Sequence, residues 1–346
     1  MTFTRRDLLQ SALGASVLAA LPPRAGAADA PPAAGATLKI SHQFPGGTLT
    51  EGDFRDRLCR RFAAEVESRT KGTLKAQVYP GSSLMKTNAQ FSALRKGALD
   101  LSLVPLSYAG GEVPETNIGL MPALVPSYKV GAQWKNAEVG RLLAKVLEAK
   151  GVLVVSWIWQ AGGVASKPRA IVSPDDAKGL KVRGGSREMD MMLKQAGASV
   201  ISLPSNEIYA AMQTGAMDAA MTSSTSFISF KLEEIAKFLT SGRTQSYWFM
   251  FEPLMISRDV FNALPKAQQD VVMAVGAELE AFAMKSAADD DVACEGVYKA
   301  AGAKVLELDD ANLRKWQAIA RDTAWKDYGE KNETCASLLK AAQKLL

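Results

Sequence analysis

The chain switches repeatedly between two hydrophobic spacings. Thr37-Leu38-Lys39-Ile40-Ser41 alternates apolar and polar positions, which predicts a strand. Phe54, Leu58, Phe62 and Val66 then recur every four residues with Arg and Glu between them, the stripe of an amphipathic helix that Gly72 stops. Leu74 to Tyr79 alternates again, and Pro80-Gly81 breaks it. Phe91 and Leu94 mark a short helix, and Asp100 to Pro105 reads as a buried strand closed by proline. Ala132 to Ala149 predicts a further helix. Val152 to Trp159 is a nearly continuous apolar strand, suited to a sheet covered on both faces.

Gln160-Ala161-Gly162-Gly163 reads as a crossing into a second unit of the same grammar. That unit has a strand at Leu180–Arg183, a helix from about Arg187 with Ser186 as N-cap, and a short strand near Val200–Leu203. A helix to Thr214 and a strand from Met217 to Thr222 follow. Ser246 to Ser257 reads as one return strand. Pro265 opens a very long helix striped by Val271, Val272, Val275, Leu279 and Phe282. Alternating strands and helices predict an α/β fold of two domains, 37–160 with 250–288 and 161–249 with 289–346.

Length and composition agree with two globular units, since 346 residues are comfortable for two cores. The net charge of +5 is weak, and no basic stripe is interleaved with aromatics, which argues against nucleic acid. Residues 1–27 read as an export signal. Thr4-Arg5-Arg6-Asp7-Leu8-Leu9 is a twin-arginine pattern, the apolar run from Leu8 to Leu21 is short for a span, and Ala25-Gly26-Ala27 suits cleavage. Residues 28–36, rich in Ala and Pro, read as a disordered lead-in, so the expected location is the periplasm. Cys59, Cys294 and Cys335 are too widely spaced for a zinc ribbon. Either two of them pair, with Cys294 and Cys335 the better match, or all three are buried small residues. One histidine, His42, leaves no basis for a histidine metal site or a catalytic triad, and no cofactor is expected.

The candidate chemistry lies at strand ends. Arg183 closes a strand, where open α/β sheets bind ligands, and a guanidinium there matches a carboxylate with a planar fork of donors. The bland alternative is an arginine paired with a surface acid. Trp159, Tyr247 and Trp248 sit on the crossing strands and line either the cleft or the core; Trp157 reads as core. Thr222 and Ser223 offer hydroxyls to a ligand or cap a helix. His42 and Gln43 follow the first strand and face either a ligand or local partners. Arg187 begins a helix, where its charge opposes the dipole and hints at an anionic neighbour. Asp289-Asp290-Asp291 on a helix point three ways and read as a solvated face.

In order and spacing these segments resemble the solute-binding subunit of tripartite ATP-independent periplasmic (TRAP) transporters, the DctP-like family. The resemblance rests on Gly72-Thr73-Leu74, Tyr79-Pro80-Gly81-Ser82, Gly97-Ala98-Leu99-Asp100, Lys178 to Arg183, Glu207-Ile208-Tyr209, Gln213-Thr214-Gly215 and Leu264-Pro265. It implies a periplasmic-binding-protein fold with two α/β domains, an interdomain cleft and a long hinge-spanning helix. It also implies a monomer that closes over a small organic acid, delivers it to an ion-driven membrane permease, and catalyses nothing. A periplasmic sensor would share the fold. Arg183 corresponds to the family's carboxylate grip. The additional arginine of sialic-acid members is replaced here by Gly162-Gly163-Val164-Ala165, and a frequent Asn-Pro by Thr222-Ser223-Ser224. Both departures argue against sialic acid. A monocarboxylate with an apolar or aromatic body is expected, with a C4-dicarboxylate as the alternative.

Overall fold

A computed structural model describes residues 36–346. The signal and lead-in expectations therefore lie outside the described residues, except that Ala36 already belongs to the first strand. Among the described residues no helix is long and apolar enough to cross a membrane.

The chain begins β1 (Ala36–His42), α1 (Phe54–Arg69), β2 (Leu74–Tyr79), α2 (Gln90–Arg95) and β3 (Leu101–Leu103). It continues with α3 (Tyr128–Trp134), α4 (Glu138–Ala149) and β4 (Val152–Ser156). The second run is β5 (Trp159–Ser166), β6 (Lys181–Arg183), α5 (Arg187–Gln195), β7 (Ser199–Val200), α6 (Ile208–Gln213), β8 (Ala219–Ser223), α7 (Ser224–Ser229) and β9 (Phe238–Ser241). The return comprises β10 (Phe249–Phe251), β11 (Leu254–Ser257), α8 (Arg258–Ala263), α9 (Lys266–Ala300), β12 (Lys304–Glu307), α10 (Asp310–Ala320), α11 (Lys326–Lys331) and α12 (Glu333–Gln343).

Two sheets result. The first has five strands in the order β2-β1-β3-β11-β4, and the second has seven, β12-β9-β5-β8-β6-β7 with β10 paired to β5. β1 runs parallel to β2 and β3, while β11 runs antiparallel between β3 and β4. β5 is the antiparallel member of the second sheet, set between β8 and β9. Each sheet thus takes in one reversed strand at a crossover.

The crossings differ from the expected ones. The run Val152–Trp159 is two strands: β4 ends at Ser156 in the first sheet, and β5 begins at Trp159 in the second. Gln160–Gly163 lie inside β5. The expected return strand is likewise split, with β10 paired to β5 and β11 to β3 and β4. The sheet changes therefore fall at Trp157–Ile158 and Glu252–Pro253.

α9 spans both lobes. Val272 and Val275 pack with the first lobe's core, and Cys294 and Tyr298 with the second's. At Gly276 the helix lies so close to β4 that a Cβ would come within 2.3 Å of the Val155 carbonyl oxygen. The C-terminal helices also bridge the lobes: Trp316 Nε1 donates to Val172 O, and Tyr328 Oη to Glu115 O. All three cysteines are buried and free, Cys294 packing beside Phe227 and Tyr298 while Cys335 lies on the buried face of α12; the Cys294–Cys335 pairing is not formed.

The Asp289–Asp291 run is not a solvated face. Asp289 is exposed and pairs with Lys285, but Asp290 accepts from Thr225 Oγ1 and Asp291 is buried, accepting from Tyr128 Oη at 2.6 Å. Burial lifts the Asp291 carboxyl to about 7 despite hydrogen bonds from Ser224 and Tyr128. A carboxyl raised on folding holds a proton that the unfolded chain releases. Its contribution is complete below about pH 4 and is lost as pH rises through about 7, a change on the order of 4 kcal/mol. Asp291→Asn is expected to flatten the fall in melting temperature between pH 5 and pH 7.5. Thermal melts across that range check this, and an unchanged slope would refute it.

Candidate functional site

The carboxyl ends of β1, β3, β6 and β8 meet where the two sheets face each other, the position at which open α/β sheets bind ligands. Arg183 ends β6 and is only 2% exposed. Its Nε donates to Leu203 O at 3.1 Å, Nη1 to Met221 O at 2.7 Å and Nη2 to Tyr108 Oη at 2.8 Å. None of these acceptors carries a charge. A guanidinium has five N–H donors, so one hydrogen remains on each Nη. The nearest acid in its field is Asp190, whose Oδ1 accepts from Gly184 N; burial lifts that carboxyl to about 6, with Arg183 opposing the rise. Arg183 is therefore a buried, unpaired cation held in place by neutral acceptors.

Tyr108 closes the arrangement from the other lobe. It lies in the turn after Pro105, where β3 exits, and its hydroxyl also accepts from Ser205 N at 3.0 Å. Ser107 Oγ donates to Gly185 O, Ser186 Oγ to Leu120 O, and Thr87 Oγ1 to Asn206 Oδ1. Bonds of this kind across the lobes describe a closed arrangement.

Gln43 is the second open position. It follows β1, is 1% exposed, and neither its Oε1 nor its Nε2 has a partner. A buried amide left bare costs about 1–3 kcal/mol per group, so this one is built to be met. His42 turns the other way. Its Nε2 bonds Asp56 Oδ1 at 3.1 Å and its Nδ1 accepts from Phe44 N, so both nitrogens are committed to α1 and the following loop.

The other expected residues are also committed. Ser223 caps α7, with its Oγ accepting from Ser226 N and donating to Ser226 Oγ. Thr222 is buried in β8 opposite Gly163. Trp248 Nε1 donates to Gly184 O, which fixes the return strand beside the exit of β6. Trp159 leaves the cleft entirely, packing against Trp134, Phe251 and Gly131. Trp157 packs on Phe251, and Tyr247 stacks on Trp316. Arg187 has the anionic neighbour its position suggests, a bidentate pair with Asp327.

A cavity of about 530 Å³ lies between the lobes on the far side of Gly185 from Arg183, and neither Arg183 nor Gln43 is among the residues that line it. Asn88, Ser107, Tyr108 and Asn117 line it from the first lobe, and Gly185, Arg187, Asp190, Lys194 and Leu203 from the second. Gly185, at φ +100°, forms the partition: a Cβ there would stand 2.7 Å from Arg183 Nη1. The buried Asn117 Nδ2 has no partner. The walls thus mix neutral polar groups with three charged side chains, Arg187, Asp190 and Lys194, and with glycines and the apolar Met191, Leu203 and Pro204. Among the described residues no cluster of His, Cys, Asp and Glu could hold a metal.

Sequence reasoning passes over Tyr108 and Arg55. Arg55 is fully buried on α1. It pairs with Asp53 at 2.6 Å and Glu252 at 3.3 Å, and donates to Ser226 Oγ at 3.0 Å in the opposite lobe. The available signal is positional: an arginine in the first turn of a helix, behind an Asp N-cap, opposes the dipole as Arg187 does.

Residues 47–332 match the family model for bacterial extracellular solute-binding proteins of family 7, DctP. A solute-binding protein of Albidiferax ferrireducens is 65% identical over 342 residues, 99% of each chain. The crystal structure of a TRAP periplasmic solute-binding protein from Rhodoferax ferrireducens, with bound malonate, is 68% identical with a TM-score of 0.88, covering 89% of this chain and 98% of that one. The 2,3-diketo-L-gulonate-binding periplasmic protein of Escherichia coli is 27% identical over 75% of this chain and 79% of its own. Two α/β lobes, a cleft at the strand ends and a buried unpaired arginine stand together with a match over most of the sequence, and the chain belongs to the DctP family of TRAP transporter solute-binding proteins.

Proposed function

We propose that the chain captures a short, polar organic acid between its lobes, with Arg183 on the carboxylate and Gln43 on the far end, and presents it to a TRAP permease. The observations that carry this reading are a buried cation that lacks an anion at the end of β6 and a buried amide that lacks any partner just after β1. Malonate in the 68% identical structure supports a small carboxylate. The expectation of an aromatic-walled site is replaced, because Trp159 and Trp248 are spent on packing and on a backbone carbonyl, while no tryptophan lines the interlobe cavity. The protein acts as a receptor, working as a monomer in the periplasm after export through the twin-arginine signal at Arg5 and Arg6. Ser223 is spent as a helix cap, and His42 is bonded to Asp56 rather than to a serine.

A thermal-shift panel of malonate, succinate, hydroxy acids and aromatic monocarboxylates tests the reading. A ligand at a hundred times its Kd adds about 2.7 kcal/mol of stability. That should raise the melting temperature by roughly 5 °C at this chain length. The short polar acids are expected to give such shifts and the aromatic acids none. No shift with any acid at millimolar concentration would overturn it.

A further inference from the structure

We propose that the Tyr108 hydroxyl is the latch of the closed form, a positioning group that ties lobe closure to the Arg183 guanidinium and so sets how long an acid anion stays bound. This role rests on the reading of Arg183 as the carboxylate grip. Arg183 makes three hydrogen bonds. Two end on Leu203 O and Met221 O, backbone of its own lobe, and do not depend on closure. The third runs from Nη2 to Tyr108 Oη at 2.8 Å, and among the described residues Tyr108 is the one first-lobe residue that bonds Arg183. The same oxygen accepts from Ser205 N at 3.0 Å, so one first-lobe atom holds two points of the second lobe.

The turn that carries Tyr108 is built to hold it still. Leu106–Ala109 follow Pro105, and Leu106 and Ala109 are both buried in the core. Tyr108 N donates to Pro105 O and Gly110 N to Ser107 O, each at 3.1 Å, which closes the turn on itself. Ser107 and Tyr108 are left to meet the second lobe. Ser107 Oγ reaches Gly185 O at 3.2 Å, so consecutive residues of one turn bracket the strand end that carries the guanidinium. A group fixed in this way gives up little freedom when the lobes meet.

Other bonds between the lobes bypass Arg183. Ser186 Oγ donates to Leu120 O, Thr87 Oγ1 to Asn206 Oδ1, and Arg55 Nη1 to Ser226 Oγ. Those bonds favour closure whether or not an acid is in place. Tyr108 instead closes on the group that the acid engages, and an anion that fixes the guanidinium fork also fixes Nη2 as the donor to Tyr108. Contacts made only in the closed form shift the equilibrium toward it. Release requires reopening, so their loss speeds departure and leaves approach unchanged.

Tyr108→Phe keeps the ring and removes the oxygen. Stopped-flow tryptophan fluorescence with malonate is expected to show release about tenfold faster, with association within about threefold of the parent. Spin labels at Lys96→Cys in the first lobe and Lys304→Cys in the second, both exposed positions, read the lobe separation, since the native cysteines are buried. At saturating malonate the parent is expected to give one short distance and Tyr108→Phe an added longer one, while the unliganded proteins melt alike. The latch falls if release and lobe distances match the parent. It also falls if binding weakens with the lobe distances unchanged, which makes the hydroxyl a ligand contact only, or if the unliganded melting temperature drops as far as the liganded one, which makes it part of the fold. Arg183→Ala is run in parallel: malonate bound there as tightly as by the parent overturns the carboxylate reading, while the lobe distances of Tyr108→Phe still decide the latch.

Discussion

Arg183→Ala is expected to weaken malonate binding by a factor of roughly 30 to several thousand, the equivalent of about 2–5 kcal/mol for a desolvated charged contact. The size follows from what holds the side chain now. Two backbone carbonyls and a tyrosine hydroxyl fix the guanidinium without neutralising it, so a carboxylate finds a charge already stripped of water and aimed. Arg183→Lys separates charge from geometry. It keeps the cation but loses the fork and cannot serve Leu203 O, Met221 O and Tyr108 together, so an intermediate loss of about ten- to a hundredfold is expected. Titration calorimetry reads the affinities. A melt of the unliganded variants reads the cost to the fold, since Leu203 O and Met221 O lose a donor. If Arg183→Ala binds malonate within threefold of the parent while melting normally, the carboxylate is held elsewhere.

Much of this architecture is written locally and some of it is not. Phe54 to Val66, the Ser186 cap and the long helix after Pro265 announce themselves, because a helix face or a cap is a short-range pattern. The crossings do not. Val152 to Trp159 reads as one strand because both sheets bury both faces, and hydrophobicity then continues straight through a change of partner. The same reason splits Phe249–Phe251 from Leu254–Ser257. β9 escapes notice because Phe238–Ser241 is short and its apolar signal is weak. At the site, Arg183 is legible because it ends a recognisable strand. Tyr108 is not, since it sits in a turn and meets Arg183 across 75 positions of sequence. Trp159 looks like a cleft residue and is not one. Its side of the strand is set by α3 and α9, which no window around position 159 contains.

Arg55→Met is expected to cost about 3–5 kcal/mol of stability, the range for stripping one partner from a buried ion pair. In a chain of this length that lowers the melting temperature by roughly 6–10 °C. Arg55 is the keystone of a charge network in which nothing is exposed: Asp53 takes its Nε and Nη2, Glu252 and Ser226 share Nη1, and the guanidinium lies 3.6 Å over the Phe44 ring. Burial works against the charge, yet Asp53 and Glu252 outweigh it and raise the Arg55 pKa. Methionine keeps the bulk and removes the cation, so two carboxylates at the lobe crossing face each other in a dry site. Burial already lifts the Glu252 carboxyl to about 7 with Arg55 opposing the rise; losing the cation lifts it further, and the penalty shrinks as acid protonates it. The melting gap to the parent should therefore be widest at pH 7.5 and narrow toward pH 5. Adding Glu252→Gln should recover part of the loss, because one stranded charge is gone, and the double-mutant cycle should return a coupling well above the ~0.5 kcal/mol scatter of independent sites. Additive losses, or a gap that does not change with pH, would mean that the cost comes from packing over Phe44 and not from the charges.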